Sequence, residues 1–217
     1  MCGVFNLNVS KAKLLEKFEL KTADEFTLPI EKALPGMLLP IIASTNPSHL
    51  QVCHWGLVPH WSHDIKAGKK MINARAETLF EKPSFSKAIL NNRCLVPATG
   101  YYEWSNLSGK KLPYLIHLAN SELFAMAGIW DTTTHPQTGD EYHSFSIITT
   151  NPSEKIAGLH NRMPVLLNSK NQEIWLNEGI NQNEIEIMLK PYPSEELAFE
   201  VSSISMKRIN ENQISLF

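Results

Sequence analysis

Gly, Pro and Asn interrupt this chain at short intervals, and the segments between them are rich in β-branched and aromatic residues. That pattern is written for many short strands and tight connections, with few helices. Strands are expected at 3–7, 38–44, 50–57, 93–104, 113–119, 123–130, 143–150, 164–168 and 197–203. Four helices are expected at the periphery. Ser10 caps a segment carrying Leu14, Leu15 and Phe18, and Pro83 takes a first-turn position ahead of Phe85, Ala88 and Ile89. Ser169 with Gln172, and Asn181 with Glu184, form capping boxes before Ile174, Trp175 and Leu176, and before Ile185, Met188 and Leu189. Strands do not alternate with long helices, so a doubly wound parallel sheet does not fit. The expected fold class is α+β: a single compact domain, 1–217, of curved, mostly antiparallel sheets with a barrel-like core and peripheral helices. Residues after about 204 have weak periodicity and read as a loose tail.

With 217 residues, 43% of them hydrophobic and 19% charged, the chain can bury one sizeable core. No apolar run reaches the roughly 18 residues of a membrane span, and no basic-then-apolar leader opens the sequence, so no membrane partner and a cytoplasmic location are expected. Cys2, Cys53 and Cys94 are odd in number and widely spaced, which suits reduced thiols, the latter two as core fillers. A net charge of −2 excludes a protein that coats nucleic acid through bulk electrostatics. Positive charge is concentrated locally, in Lys66, Lys69, Lys70, Arg75, Lys82, Lys87 and Arg93, as a solvated face or a binding surface.

Cys2 follows directly on Met1. Removal of Met1 would place a thiol and a free α-amine on one residue, with reference pKa values of about 8.5 and about 7.7–8.0. Such a 1,2-aminothiol can attack an acyl carbon, or trap an aldehyde as an imine that the sulfur closes to a thiazolidine. By itself it is also consistent with a small buried residue.

Other segments offer chemistry that Cys2 could use. In Asn73-Ala74-Arg75-Ala76-Glu77-Thr78, an extended backbone aims Asn73 and Arg75 at one face and the alanines at the other. Glu103 stands among Tyr101, Tyr102 and Trp104, where apolar surroundings raise a carboxyl pKa towards neutrality. If the backbone is extended there, His160 and Arg162 point the same way, joining a proton carrier to an anion grip. His49, Cys53, His54, His60 and His63 crowd together but lack paired ligand spacing, so no metal and no cofactor are expected. Trp55 and Trp61 read as packing or as stacking platforms for a base.

In order and spacing, Met1-Cys2-Gly3, Trp55-Gly56-Leu57-Val58-Pro59 with Trp61, Asn73 to Thr78, Pro97 to Trp104, Ala127-Gly128-Ile129-Trp130 and His160-Asn161-Arg162-Met163-Pro164-Val165 resemble the SRAP family, the SOS response-associated peptidases. Its members are abasic-site processing proteins that bind single-stranded DNA and crosslink to the abasic sugar aldehyde. The resemblance implies Cys2 as the crosslinking nucleophile, Asn73 as its anchor, and Glu103 and His160 as proton-transfer residues. It implies DNA contacts from Arg75 and Arg162, with Trp61, Lys66, Lys69 and Lys70 beside them. The implied protein is a monomer, associated with the nucleoid when bound. Three positions depart from the family pattern: Val4 replaces an Arg, Ile30 to Pro35 replaces an Arg-Tyr-Asn-Val-Ala-Pro segment, and Asn161 replaces an Asp. An N-terminal-nucleophile hydrolase, either a cysteine peptidase or of the glutamine amidotransferase type, is the enzymatic alternative. A non-covalent reader of modified or damaged DNA is the other.

Overall fold

A computed structural model describes residues 2–106 and 109–204, so the expected tail lies outside the described residues. In chain order the elements are β1 (Phe5–Leu7), α1 (Lys11–Lys17), β2 (Thr22–Ala23), β3 (Ile30–Ala33), β4 (Leu38–Ala43), β5 (His49–Trp55), β6 (Asn73–Arg75), α2 (Pro83–Asn91), β7 (Arg93–Ala98), β8 (Gly100–Ser105), β9 (Leu112–Leu118), β10 (Phe124–Thr134), β11 (Glu141–Thr150), α3 (Glu154–Ala157), β12 (Met163–Pro164), β13 (Leu166–Leu167), α4 (Ser169–Leu176), α5 (Gln182–Met188) and β14 (Leu197–Val201). Strands β11, β10, β7, β4 and β5 are hydrogen-bonded in that order, and β5 pairs back onto β11, which closes a five-stranded barrel. A second sheet runs β14-β9-β8-β1-β3. Pairing is mostly antiparallel; β5 and β6 on β11, and β2 on β5, are parallel. The expected α+β class with a barrel-like core is the fold observed.

Alternation along each barrel strand decides what each face meets. Leu39 and Ile41, Cys53 and Trp55, Cys94 and Val96, Met126, and Phe145 and Ile147 gather with Phe5, Tyr101, Tyr114 and Ile116 of the second sheet. The opposite face, with Ile42, Leu50, Leu95, Ala127, Ile129 and Ile148, packs against Phe85 and Ile89 of α2, Trp175 of α4 and Ile185 of α5. Cys53 and Cys94 are buried and free, as core fillers should be. Gly128 sits where strands crowd: a Cβ there would lie 2.8 Å from Cys94 Sγ and 3.1 Å from the Ser146 carbonyl oxygen.

Helix starts follow their caps. Ser10 accepts from the Lys13 amide, Pro83 opens α2, and Asn181 and Glu184 exchange both bonds of a capping box. The box expected at Ser169 and Gln172 is displaced: Asn168 is the extended cap residue and its side chain accepts from the Asn171 backbone amide, while the Gln172 side-chain Nε2 donates to the Leu167 carbonyl. Asn caps as well as Ser, and here it stands one residue earlier. Helix α3 was not expected; it is a single turn without a side-chain cap.

Two further expectations change. The segment 93–104 is two strands in different sheets, because Thr99 is tied to β1 by its amide to the Asn6 carbonyl and by its hydroxyl to Asn6 Oδ1. Arg93 is not part of a solvated basic face. It is fully buried and donates to the carbonyls of Ile89, Leu90, Trp175 and Asn177, at 2.9, 2.5, 3.0 and 2.8 Å, which fastens the C-terminal ends of α2 and α4 together. No helix among the described residues is long and apolar enough to cross a membrane.

Candidate functional site

The second sheet delivers Cys2 to Glu103. Strand β1 pairs with β8 in the register Phe5 opposite Tyr101, and the Tyr102 amide donates to the Val4 carbonyl, so the residues just ahead of β1 run alongside β8. Cys2 is fully buried there, with Sγ 4.0 Å from the Val4 carbonyl oxygen. Burial, helped by the negative charge of Glu103, pushes the thiol pKa well above its usual range. Glu103 is 3% exposed, and burial lifts its carboxyl to about 7.

Parallel pairing of β6 with β11, Asn73 opposite Ile147, places the Asn73 side chain on the same spot. Its Nδ2 donates to the Cys2 carbonyl at 2.9 Å, across 71 residues of sequence. Asn73 Oδ1 is buried and without a hydrogen-bond partner among the described residues, an acceptor available to a donor brought by a substrate. Ala74 is buried beneath the strand and Arg75 is exposed beyond it.

The turn after α3 supplies the fourth group. His160 Nε2 lies 3.7 Å from Glu103 Oε2, and burial lowers the imidazole pKa. The Arg162 amide donates to His160 Nδ1 at 3.1 Å. Nδ1 also lies 3.3 Å from the Arg162 carbonyl oxygen; with the shorter contact to the amide taken as the hydrogen bond, the neutral ring carries its proton on Nε2, on the Glu103 side. The segment is a bend rather than the extended run on which His160 and Arg162 would share a side. The Arg162 guanidinium instead faces Glu77, bound through both carboxylate oxygens at 2.6 and 2.9 Å. Cys2, Asn73, Glu103 and His160, from four separate stretches of sequence, therefore converge.

The expected DNA contacts fall into two groups. Arg75, Lys66, Lys69 and Lys70 are exposed, the lysines in a turn from Ile65 to Lys70 whose cap, Asp64, accepts from the Lys66 amide. Trp61 is 54% exposed, unlike Trp55, which is fully buried in the core. Arg162 is largely covered, its side chain 13% exposed.

Residues not singled out beforehand hold the Trp61 loop. Gly56, at φ 135°, turns the chain out of β5 in a conformation that suits glycine alone. Beyond it, Ser144 accepts from the Val58 amide, Asp131 accepts from both the His60 amide and its imidazole, and the Thr133 hydroxyl donates to the Ser62 carbonyl. Asp131 carried a readable signal, a carboxylate in a strand that is otherwise buried. His49 and His54 are likewise engaged, with Asp24 and Thr22, and with the Gly36 carbonyl and the Tyr142 ring. No group of side chains suited to hold a metal ion occurs among the described residues.

The chain is similar to several known proteins. A protein from Bacillus subtilis strain 168 named abasic site processing protein YoqW is 39% identical over 214 residues, covering 94% of this chain and 93% of its own. The Gallus gallus abasic site processing protein HMCES is 31% identical, over 78% of this chain and 57% of its own. A crystal structure of a Bacteroides thetaiotaomicron protein superposes with a TM-score of 0.83 at 32% identity, over 92% of this chain. A Bordetella bronchiseptica protein shares the fold with a TM-score of 0.83 at 22% identity. Residues 1–209, which include every site residue described above, match the family described as SOS response associated peptidase (SRAP), and the chain belongs to that family.

Proposed function

We propose that the protein processes abasic sites in DNA by forming a covalent bond between Cys2 and the ring-opened sugar aldehyde in single-stranded DNA. The observation that carries this reading is the convergence of Asn73, Glu103 and His160 around Cys2. The relatives named as abasic site processing proteins support the substrate class.

With Met1 removed, the Cys2 amine adds to the aldehyde carbon and gives a carbinolamine. Loss of water then leaves an imine. The thiol adds to the imine carbon while its proton passes to the imine nitrogen, which closes a thiazolidine; one water leaves overall. Burial that holds the thiol protonated favours this order, because the amine acts first and the thiol needs a base only at closure. Glu103, with a pKa of about 7, can accept and return protons at each step. His160, neutral with hydrogen on Nε2, donates towards an oxygen of the opening sugar ring. Asn73 fixes the Cys2 carbonyl and so the direction of its amine and thiol. The exposed Arg75, Lys66, Lys69 and Lys70 meet flanking phosphates, and Trp61 offers a face to an unstacked base.

The test is denaturing electrophoresis with intact mass on single-stranded DNA carrying one abasic site. A heat-stable adduct from protein lacking Met1, lost in Cys2→Ala, is the expected outcome. Absence of adduct from fully processed protein overturns the reading.

A further inference from the structure

Glu77 belongs to the Asn73-to-Thr78 motif, yet no step above uses it. It holds Arg162 through both carboxylate oxygens, and the same two terminal nitrogens also reach the Thr149 carbonyl at 2.6 Å and Asn151 Oδ1 at 3.3 Å, while Nε is buried without a partner among the described residues. Arg162 therefore bridges the residues that follow β6, the end of β11 and its own turn. Its backbone amide is also the donor that sets the His160 ring. We propose that Glu77 is a positioning residue: by clamping Arg162 it fixes the 158–163 turn, and with it the orientation and tautomer of His160 opposite Glu103.

The clamp fits this role better than that of a surface ion pair. The Arg162 side chain is mostly covered and the geometry is bidentate; Glu77 is 45% exposed, and its bond to Arg162 braces two segments that Arg75 and Met163 pair with the end of β11. A lysine could not reproduce it, because an ammonium offers no planar fork to carboxylate and carbonyl together. The inference also assigns the Arg162 guanidinium to the protein's own framework and leaves phosphate contact to Arg75 and the lysines. It rests on the proposed function for the role of His160, but not for the clamp itself.

The experiment compares Glu77→Ala and Glu77→Gln with wild type, each alone and with His160→Ala. Single-turnover adduct formation gives a rate at saturating DNA and a half-saturating DNA concentration, and ¹⁵N spectra of the imidazole give the His160 tautomer and titration. Among the described residues, Glu103 from β8 and the backbone of Arg162 face that ring; Arg75 acts on Glu77. The expected result is a saturated rate lower by roughly tenfold in Glu77→Ala, with half-saturation unchanged, no further loss when His160→Ala is already present, and a mixed His160 tautomer. Equal loss with and without His160, or a change confined to half-saturation, overturns the proposal. If wild type forms no adduct, the functional reading falls, and the ¹⁵N spectra alone decide the clamp: an unchanged tautomer in folded Glu77→Ala overturns it.

Discussion

At the scale of single residues, Glu103 is a carboxyl group held almost wholly out of water beside the buried Cys2. Its carboxyl, raised by burial from an ordinary 4.5 to about 7, has a direct consequence for stability. Between those values the folded protein keeps a proton that the unfolded chain has lost, so stability falls as pH rises through that window. Glu103→Gln, which carries no charge, should be indistinguishable from wild type in stability below about pH 4.5 and more stable above about pH 7, by on the order of 3 kcal/mol. Urea titrations across pH check this; a gap that stays constant with pH would refute the buried-acid account. The same variant should slow adduct formation by about 10²-fold or more and flatten its rise with pH near 7. Cys2 and Glu103 carried local signals, a thiol next to Met1 and a carboxyl among aromatic residues, whereas Asn73 and His160 stood out only through the resemblance to the SRAP family. The clamp between Glu77 and Arg162 was not legible: Arg162 read as an anion grip and Glu77 had no role of its own, and nothing local says that residues 85 apart will meet. Asp131 and His60, 71 apart, escaped for the same reason.

At the scale of elements, caps and turns read well because their causes are local, whereas strand partners are chosen by the whole sheet. Ser10, Pro83 and Asn181 began helices as expected, and the error at Ser169 was one residue between two equally good caps. The unbroken run expected over 93–104 failed because a tertiary bond network at Thr99 carries the chain from barrel to second sheet. Arg93 shows the limit most clearly, since a basic residue in a basic stretch gives no sign of burial. Its four carbonyl bonds satisfy acceptors that two helix ends would otherwise leave bare. Arg93→Lys should therefore destabilise the protein by about 2–4 kcal/mol, lowering the melting temperature by roughly 5–15 °C, since one ammonium cannot reach both helix ends. A thermal scan showing a shift of less than about 2 °C would mean the guanidinium bonds are dispensable.

At the scale of the whole molecule, the net charge of −2 must be reconciled with a polyanionic partner. The proposed resolution divides affinity into a weak electrostatic encounter and a covalent bond that needs no salt-sensitive hold. Among the described residues, Arg75, two positions after Asn73, and the lysines of the Lys66 to Lys70 turn that precedes β6 are open to solvent, while Arg162 is spent on Glu77 and Arg93 on helix ends. Each phosphate contact on a single strand contributes a salt slope of about −0.7 in the logarithm of the binding constant. Reversible binding, measured with Cys2→Ser to block the adduct, should then show a shallow total slope of roughly −2 to −3. Arg75→Ala should reduce the slope by about 0.7, and Arg162→Ala should leave it unchanged. Trp61→Ala should weaken binding by about 1–3 kcal/mol at every salt concentration, because stacking is not a counterion effect. The adduct formed by wild type, in contrast, should survive high salt once made, with only its rate of formation falling. A steep slope, or one that Arg162→Ala relaxes as much as Arg75→Ala does, would show that DNA draws Arg162 away from Glu77, and that binding remodels the clamp.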